Sequence, residues 1–179
     1  MKPQNITRFV KIIGQSKKIK RTGWVREKVK NPESVADHSF RLIVLCMTLA
    51  DVLKVDQNKL IKMAIIHDLG ETKTGDIVVE RGRKIFIKKR LKREKIEEEA
   101  IKELLNVFGE EYHQIFHELI ERKSREAKVF WQLDKLEMAF QAKEYEDEQG
   151  KDLREFFENA DINISDRLLR KTLLMLTKR

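Results

Sequence analysis

The 179-residue sequence has one cysteine, two prolines and seven glycines, and aromatic residues make up only 7% of it. A single cysteine excludes a disulfide within the chain and a thiolate metal cluster. Cys46, set in an apolar helical pattern, is expected to be a reduced core residue. No run of about eighteen apolar residues exists to span a membrane. The longest apolar stretch, residues 42–50, is broken by Thr48. Residues 1–7 lack the apolar region of a signal peptide, so the expected location is the cytoplasm. Period-two alternation is also missing, as are internal repeats and low-complexity segments. Apolar residues recur at helical spacing almost throughout, which predicts an all-α fold of about seven to nine helices. The length suits one domain, 1–179, and is short for two typical ones.

What the chain has in excess is positive charge. Lysine and arginine number 38 against 30 acidic residues, a net charge of +8 with neutral histidines. This favours anionic partners: nucleic acid, an acidic membrane surface or small phosphates. Charge alone does not choose among them.

A first helix is expected over about 5–13, ending near Gly14, followed by a basic loop over 17–30. Ser34, with Asp37 three residues on, signals a helix start. That helix should run to about Leu53 with an inward face of Val35, His38, Leu42, Leu45, Leu49 and Val52. The next helix begins near Gln57 and carries Leu60, Met63 or Ala64, and His67 inward, with Asp68 one residue further round and Glu71 a turn beyond. Gly70 and Gly75 bracket an exit loop that holds Asp76. Residues 81–95 read as a basic connection feeding an amphipathic helix with Ile96, Ala100, Ile101, Leu104 and Leu105 inside. A shorter helix should cover about 111–122 and a long one, capped by Ser124, about 124–148. In the long helix Asp134 interrupts an apolar stripe of Trp131, Met138, Ala142 and Tyr145. The tail, 152–178, reads as two helices with Ser165 as a cap.

His38, His67, Asp68 and Asp134 thus fall on faces that should be buried, where ionisable groups are costly without compensation. A divalent metal is a common compensation. Two imidazoles and two carboxylates suit Mn, Co, Mg, Ni, Fe or Zn, and leave positions open for water or a phosphate oxygen. Any one inward histidine taken alone is more often a satisfied core residue. The specific signal is the joint pattern, a helical histidine about thirty residues before a His-Asp pair and a helical aspartate about sixty-five after it.

With those residues in view, the chain resembles the HD-domain metal-dependent phosphohydrolases, and within them the 5′-deoxynucleotidases. The resemblance is carried by Arg21-Thr22-Gly23-Trp24, by the stretch from Pro32 to His38, by His67-Asp68-Leu69-Gly70-Glu71 and by Gly75-Asp76-Ile77. Residues 132–138 and 141–145 complete it, so that it covers about 5–160. It implies a helical HD fold in which His38, His67, Asp68 and Asp134 bind one divalent metal. Glu71 and Asp76 would act beside the phosphate and the attacking water, one in proton transfer and one in positioning. The implied substrate is a deoxyribonucleoside 5′-monophosphate, hydrolysed by in-line attack of a metal-activated water. By the same resemblance Trp24 meets the sugar, and Ile77, Val78 and Val79 contact the nucleoside. Bacterial members carry an arginine directly before the tryptophan to orient the phosphate, where this chain has Gly23. Arg21 is the candidate replacement, with Arg26 second.

Family members commonly pair, so a homodimer is implied, and Leu168, Leu169, Leu173, Leu174 and Leu176 could serve a partner or complete the core. The alternatives are an HD hydrolase of another phosphorylated small molecule, or a non-catalytic HD protein that grips RNA through residues 81–95. Nucleic acid is not the expected partner, because Phe86 alone interleaves that basic run. His113 and His117, four apart, have the spacing of a second metal site, but their surroundings are polar.

Overall fold

The computed structural model describes residues 2–78 and 80–177, without the side chains of residues 85 and 107. Among these residues the chain forms α1 (Pro3–Ile13), a 3₁₀ turn (Gly14–Lys17), α2 (Thr22–Arg26), α3 (Val35–Leu53), α4 (Gln57–Ile66) and α5 (Glu71–Thr74). A two-stranded antiparallel hairpin, β1 (Glu80–Arg81) and β2 (Lys84–Ile85), leads into α6 (Ile87–Leu105) and a second 3₁₀ turn (Asn106–Phe108). Then come α7 (Glu111–Glu121), α8 (Arg125–Gln149), α9 (Arg154–Asn163) and α10 (Arg167–Thr177). The fold is all-α as expected. Of the ten helices described, α2 and α5 have only five and four residues, which leaves eight of ordinary length, inside the expected range.

Helix α8 is the centre of the molecule. It packs against α3, α4, α7, α9 and α10, and α3 and α4 lie against each other. Phe130, Leu133, Leu136 and Ala139 of α8 are buried with Leu42, Cys46 and Ala50 of α3 and Leu60, Met63 and Ala64 of α4. Each fully buried large apolar side chain contributes roughly 1.5–3 kcal/mol relative to exposure. A second cluster gathers Trp24, Val29, Ala142, Tyr145, Leu153 and Phe156 at the far end of α8.

Several local expectations shift. The inward face of α3 continues through Cys46, Ala50 and Leu53, while Val52 is 60% exposed, because the buried stripe keeps near-fourfold spacing beyond Leu42. The loop over 17–30 contains α2. The basic run 81–95 is mostly hairpin and helix, and inside α6 the buried positions include Glu94 and Glu97, while Ile96 is 39% exposed. The cap of α10 is Asp166, whose Oδ1 accepts from the amides of Leu168 at 2.8 Å and Leu169 at 3.1 Å. Ser165 instead donates its amide to Gln132 Oε1 at 2.8 Å. Leu169 and Leu173 are core residues, whereas Leu168 and Leu174 are exposed.

One glycine fixes how α6 lies on the site. A Cβ at Gly70 would stand 3.1 Å from Glu97 Cβ and 3.2 Å from both its Cα and its carbonyl oxygen. Backbone atoms cannot swing aside as a side-chain tip can. Gly70→Ala is therefore expected to cost about 1–3 kcal/mol by overpacking, read as a drop in the thermal midpoint. An unchanged midpoint would mean that α6 shifts freely.

Candidate metal centre and active site

Three helix starts set the register of the site. Ser34 and Asp37 form a reciprocal cap for α3: the Asp37 amide donates to Ser34 Oγ at 3.2 Å and the Ser34 amide to Asp37 Oδ2 at 2.8 Å. Asp56 caps α4 by accepting from the Lys59 amide at 2.9 Å, and Ser124 caps α8 by accepting from the Ala127 amide at 3.2 Å. With the starts fixed, helical geometry turns His38 inward on α3, delivers His67 at the C-terminal end of α4, and points Asp134 into the same space from α8.

Donor atoms of His38, His67 and Asp134 lie within 4.8 Å of one another, and all three residues are buried. The two imidazole rings sit edge to face, 5.4 Å between centroids. His67 Nδ1 is 2.8 Å from the Ala64 carbonyl, which can only accept, so Nδ1 carries a proton and Nε2 is the nitrogen turned to the site. His38 Nδ1 is held by the Glu137 carboxylate, whose other oxygen accepts from Arg41 Nε at 2.8 Å. Both Nε2 atoms are buried without a hydrogen-bond partner. His38 Nε2 stands 3.2 Å from Asp134 Oδ1, close but not aligned for a bond. Orphaned, converging imidazole nitrogens beside a carboxylate, each ring oriented through its other nitrogen, are what a divalent cation needs. The donor set fits one. Glu33, His38 and Glu137 also come together, but there Glu137 occupies His38 Nδ1 and Glu33 accepts from Trp24 Nε1 at 2.8 Å.

Asp68 stands somewhat apart. Its Oδ2 is 3.0 Å from His67 Nε2 and accepts from Arg21 Nη1 at 2.7 Å. Burial pushes the Asp68 carboxyl up, but His67 and Arg21 outweigh it and hold the group below the usual carboxylate range. Asp134 is likewise held low against its burial, by Lys135 and His38. Lys135 Nζ bridges Asp134 at 3.3 Å and Glu80 at 3.0 Å.

Beside these groups a cleft opens to solvent. Asp68, Glu71, Asp76 and Asp134 line it, as do Trp24 and Phe156. Glu71 is 1% exposed and its Oε2 has no partner. Burial, reinforced by Asp68 and Asp76, raises its carboxyl well above the ordinary carboxylate value, which favours its protonated form. Asp76 is tied to α2: its Oδ2 accepts from the Thr22 amide and its carbonyl from Thr22 Oγ1 at 2.8 Å. Ile77 and Val78 line the cleft; Val79 lies outside the described residues.

Trp24 is 1% exposed. Its ring stacks on Phe156 at 4.2 Å and meets Tyr145 edge-on at 5.3 Å. The same packing accounts for Gly23, since a Cβ there would stand 3.3 Å from the Phe156 ring. Of the cationic candidates, Arg21 reaches the carboxylates, whereas Arg26 is paired with Glu27 at 2.7 Å and with Glu155. Glu137, Glu80 and Lys135 were not singled out in the sequence as site residues. For Glu137 the signal is its place three residues after Asp134 on one helix face.

The distractors resolve as internal pairs. His113 and His117 share Glu98, at 3.5 Å and 2.7 Å. In the basic run, Arg81 pairs with Glu155, Arg83 with Asp161 and Arg90 with Glu94. Among the described residues no helix is long and apolar enough to cross a membrane.

An all-α bundle that brings two inward histidines and a carboxylate to one point beside an acid-lined cleft defines a helical phosphohydrolase class built around a divalent cation. The chain belongs to the HD-domain family, which matches residues 13–173. It is 38% identical to the 5′-deoxynucleotidase HDDC2 of Danio rerio over 156 residues, covering 86% of this chain and 76% of that one. The HDDC2 of Dictyostelium discoideum is 39% identical over 155 residues, 79% of this chain and 78% of its own. Among solved structures, a conserved hypothetical protein of Pyrococcus furiosus superposes with a TM-score of 0.79 at 35% identity, covering 95% of this chain and 98% of that one.

Glu137 orients His38, so Glu137→Gln should weaken Mn binding about 10- to 100-fold with the helical fold kept. Metal affinity should also fall with falling pH. Burial and Arg21 push the His38 imidazolium down, but Glu137 and Asp134 outweigh both and raise it to about 10, and a proton on Nε2 must leave before a cation can bind. Calorimetric titration reads both effects. Equal affinity in Glu137→Gln, or affinity flat with pH, would contradict this geometry.

Proposed function

We propose that this HD-domain protein is a 5′-deoxynucleotidase, removing the phosphate from deoxyribonucleoside 5′-monophosphates. The observation that carries the reading is the pair of orphaned Nε2 atoms, on His38 and His67, converging with Asp134 beside a cleft lined by the buried Glu71. The kinship with HDDC2 proteins supplies the substrate class.

In this reading His38, His67, Asp68 and Asp134 hold the cation. When bound, it supplies a Lewis acid that lowers the pKa of water and offsets phosphate charge. A nitrogen and oxygen donor set is compatible with Mn, Co, Mg, Ni, Fe or Zn. Arg21, fixed on Asp68, sets positive charge beside the phosphate. Glu71, whose carboxyl is pushed up by burial and by Asp68 and Asp76, is placed to give a proton to the leaving 5′ oxygen of the nucleoside. Asp76, pinned to α2 through Thr22, positions the attacking water.

Substrate selection follows from the aromatic lining of the cleft. Trp24 is locked by Phe156, Tyr145 and its Nε1 bond to Glu33, so the sugar meets a wall that does not yield. A ribose 2′-hydroxyl needs room and a polar partner there, and a deoxyribose needs neither. Ile77 and Val78 offer apolar contact that does not read base identity, in keeping with broad base tolerance. Arg81, Arg83 and Arg90 of the basic run 81–95 pair internally, which leaves an RNA-binding role fewer cations to draw on.

The test is phosphate release from the four deoxynucleoside monophosphates and their ribo counterparts, in metal-free buffer and with Mn, Co, Mg or Zn. Release should require metal and prefer the deoxy series. Glu71→Gln should lower kcat by about 100- to 10,000-fold, the usual range for losing a general acid, with KM little changed. His67→Ala should abolish turnover. A silent panel, or release that His67→Ala leaves intact, would sink the proposal.

A further inference from the structure

A phosphate dianion entering the cleft meets the acidic side chains of Asp68, Glu71, Asp76, Glu80, Asp134 and Glu155, and several of the nearby cations are already engaged. Arg21 Nη1 is bound to Asp68 at 2.7 Å, Lys135 lies between Glu80 and Asp134, and Arg26 is held by Glu27 and Glu155. The position before Trp24 offers no cation, because Gly23 sits against Phe156.

Arg93, on α6, differs from these. It lines the same cleft, yet its side chain is only 16% exposed. Its Nη1 donates to the Ile77 carbonyl at 3.3 Å, directly after Asp76 in the chain. Its Nε lies 3.2 Å from Glu97 Oε1 but is misaligned, and both atoms are buried without a hydrogen-bond partner. Among the described residues its Nη2 has none either. Apart from Glu97, the carboxylates that act on Arg93 electrostatically are Asp68, Glu71 and Asp76, which places it over the reacting end of the cleft. The close packing of Gly70 on Glu97, one helical turn from Arg93, keeps the arginine there. A planar guanidinium with unused donors, fixed at its base and facing clustered carboxylates, is suited to grip a phosphate through paired hydrogen bonds.

We propose that Arg93 binds the phosphate group of the substrate, so that α6 supplies a second cation to the cleft beside Arg21 of the loop before α2. This inference rests on the phosphohydrolase reading above. It assigns a substrate contact to the basic segment 81–95 and makes Arg93 a determinant of KM.

The decisive measurement is binding of inorganic phosphate to the Mn-loaded protein, wild type against Arg93→Met. The phosphate dissociation constant should rise about 10- to 100-fold, the scale of a lost charge-assisted pair, while Mn affinity stays constant. Arg93→Lys keeps a point charge without the planar fork and should fall between the two. With deoxynucleotide as substrate, Arg93→Met should raise KM more than it lowers kcat. A role limited to holding the Ile77 loop would lower kcat and leave phosphate affinity alone, which overturns the proposal. Equal phosphate affinity in wild type and variant, or no measurable affinity in wild type, overturns it too. If Arg93→Met does not fold, Arg93→Gln and Arg93→Lys read the same quantity. A wild type that binds phosphate through Arg93 but hydrolyses no deoxynucleotide would leave this inference standing and defeat the substrate assignment instead.

Discussion

Three helices bury donor groups that do not satisfy one another. His38 from α3, His67 from the end of α4 and Asp134 from α8 converge within 4.8 Å, and the facing imidazole nitrogens have no hydrogen-bond partner. An unpaired buried polar atom costs on the order of 1–3 kcal/mol, so the apolar packing of α3, α4 and α8 must hold the cluster together. The buried leucines, alanines and aromatics of those helices do so. They also explain why the donor groups are aimed so closely: each histidine is locked by its second nitrogen, one on a main-chain carbonyl and one on Glu137.

Charge is arranged in shells around that point. Carboxylates stand innermost, and Arg21, Arg41 and Lys135 neutralise them one step out. The net charge of +8 is therefore a poor guide to the cleft itself, whose lining sets six acidic side chains against six basic ones. Glu71 shows the consequence. Crowded among like charges and out of water, its carboxyl is pushed well above the usual range, and a carboxyl shifted in that direction is better suited to act as an acid. The aromatic lining is rigid, with Gly23 making room for the Phe156 ring that braces Trp24.

Much of the scaffold was legible in the one-dimensional pattern. The starts of α3 and α8 follow from Ser34 and Ser124, whose capping is a local matter of backbone amides and short polar side chains, while the Asp56 cap of α4 is seen only in the structure. Once a helix start is known, the 3.6-residue period places His38 and Asp134 inward without reference to any other segment. Less legible were features that depend on a partner far along the chain. Val52 fits an apolar stripe but nothing covers it, and Glu94 and Glu97 look like solvated charges until Arg90, Arg93 and Arg122 are seen beside them. The same holds for α10, whose start is set by Asp166 because Gln132 takes the Ser165 amide.

The amino-acid sequence by itself determined the helical class, the inward histidines, the His67-Asp68 pair and the acidic residues of the exit loop, because periodicity and caps act over a few residues. The tertiary structure decided which of those groups meet. Only packing shows that Asp68 turns to Arg21, that Glu137 orients His38, that Arg26 is spent on Glu155, and that Gly70 seats α6 so that Arg93 overlooks the cleft. Such contacts join residues tens of positions apart, and distance through space, which governs both Coulomb energy and hydrogen bonding, is set by the fold rather than by sequence separation.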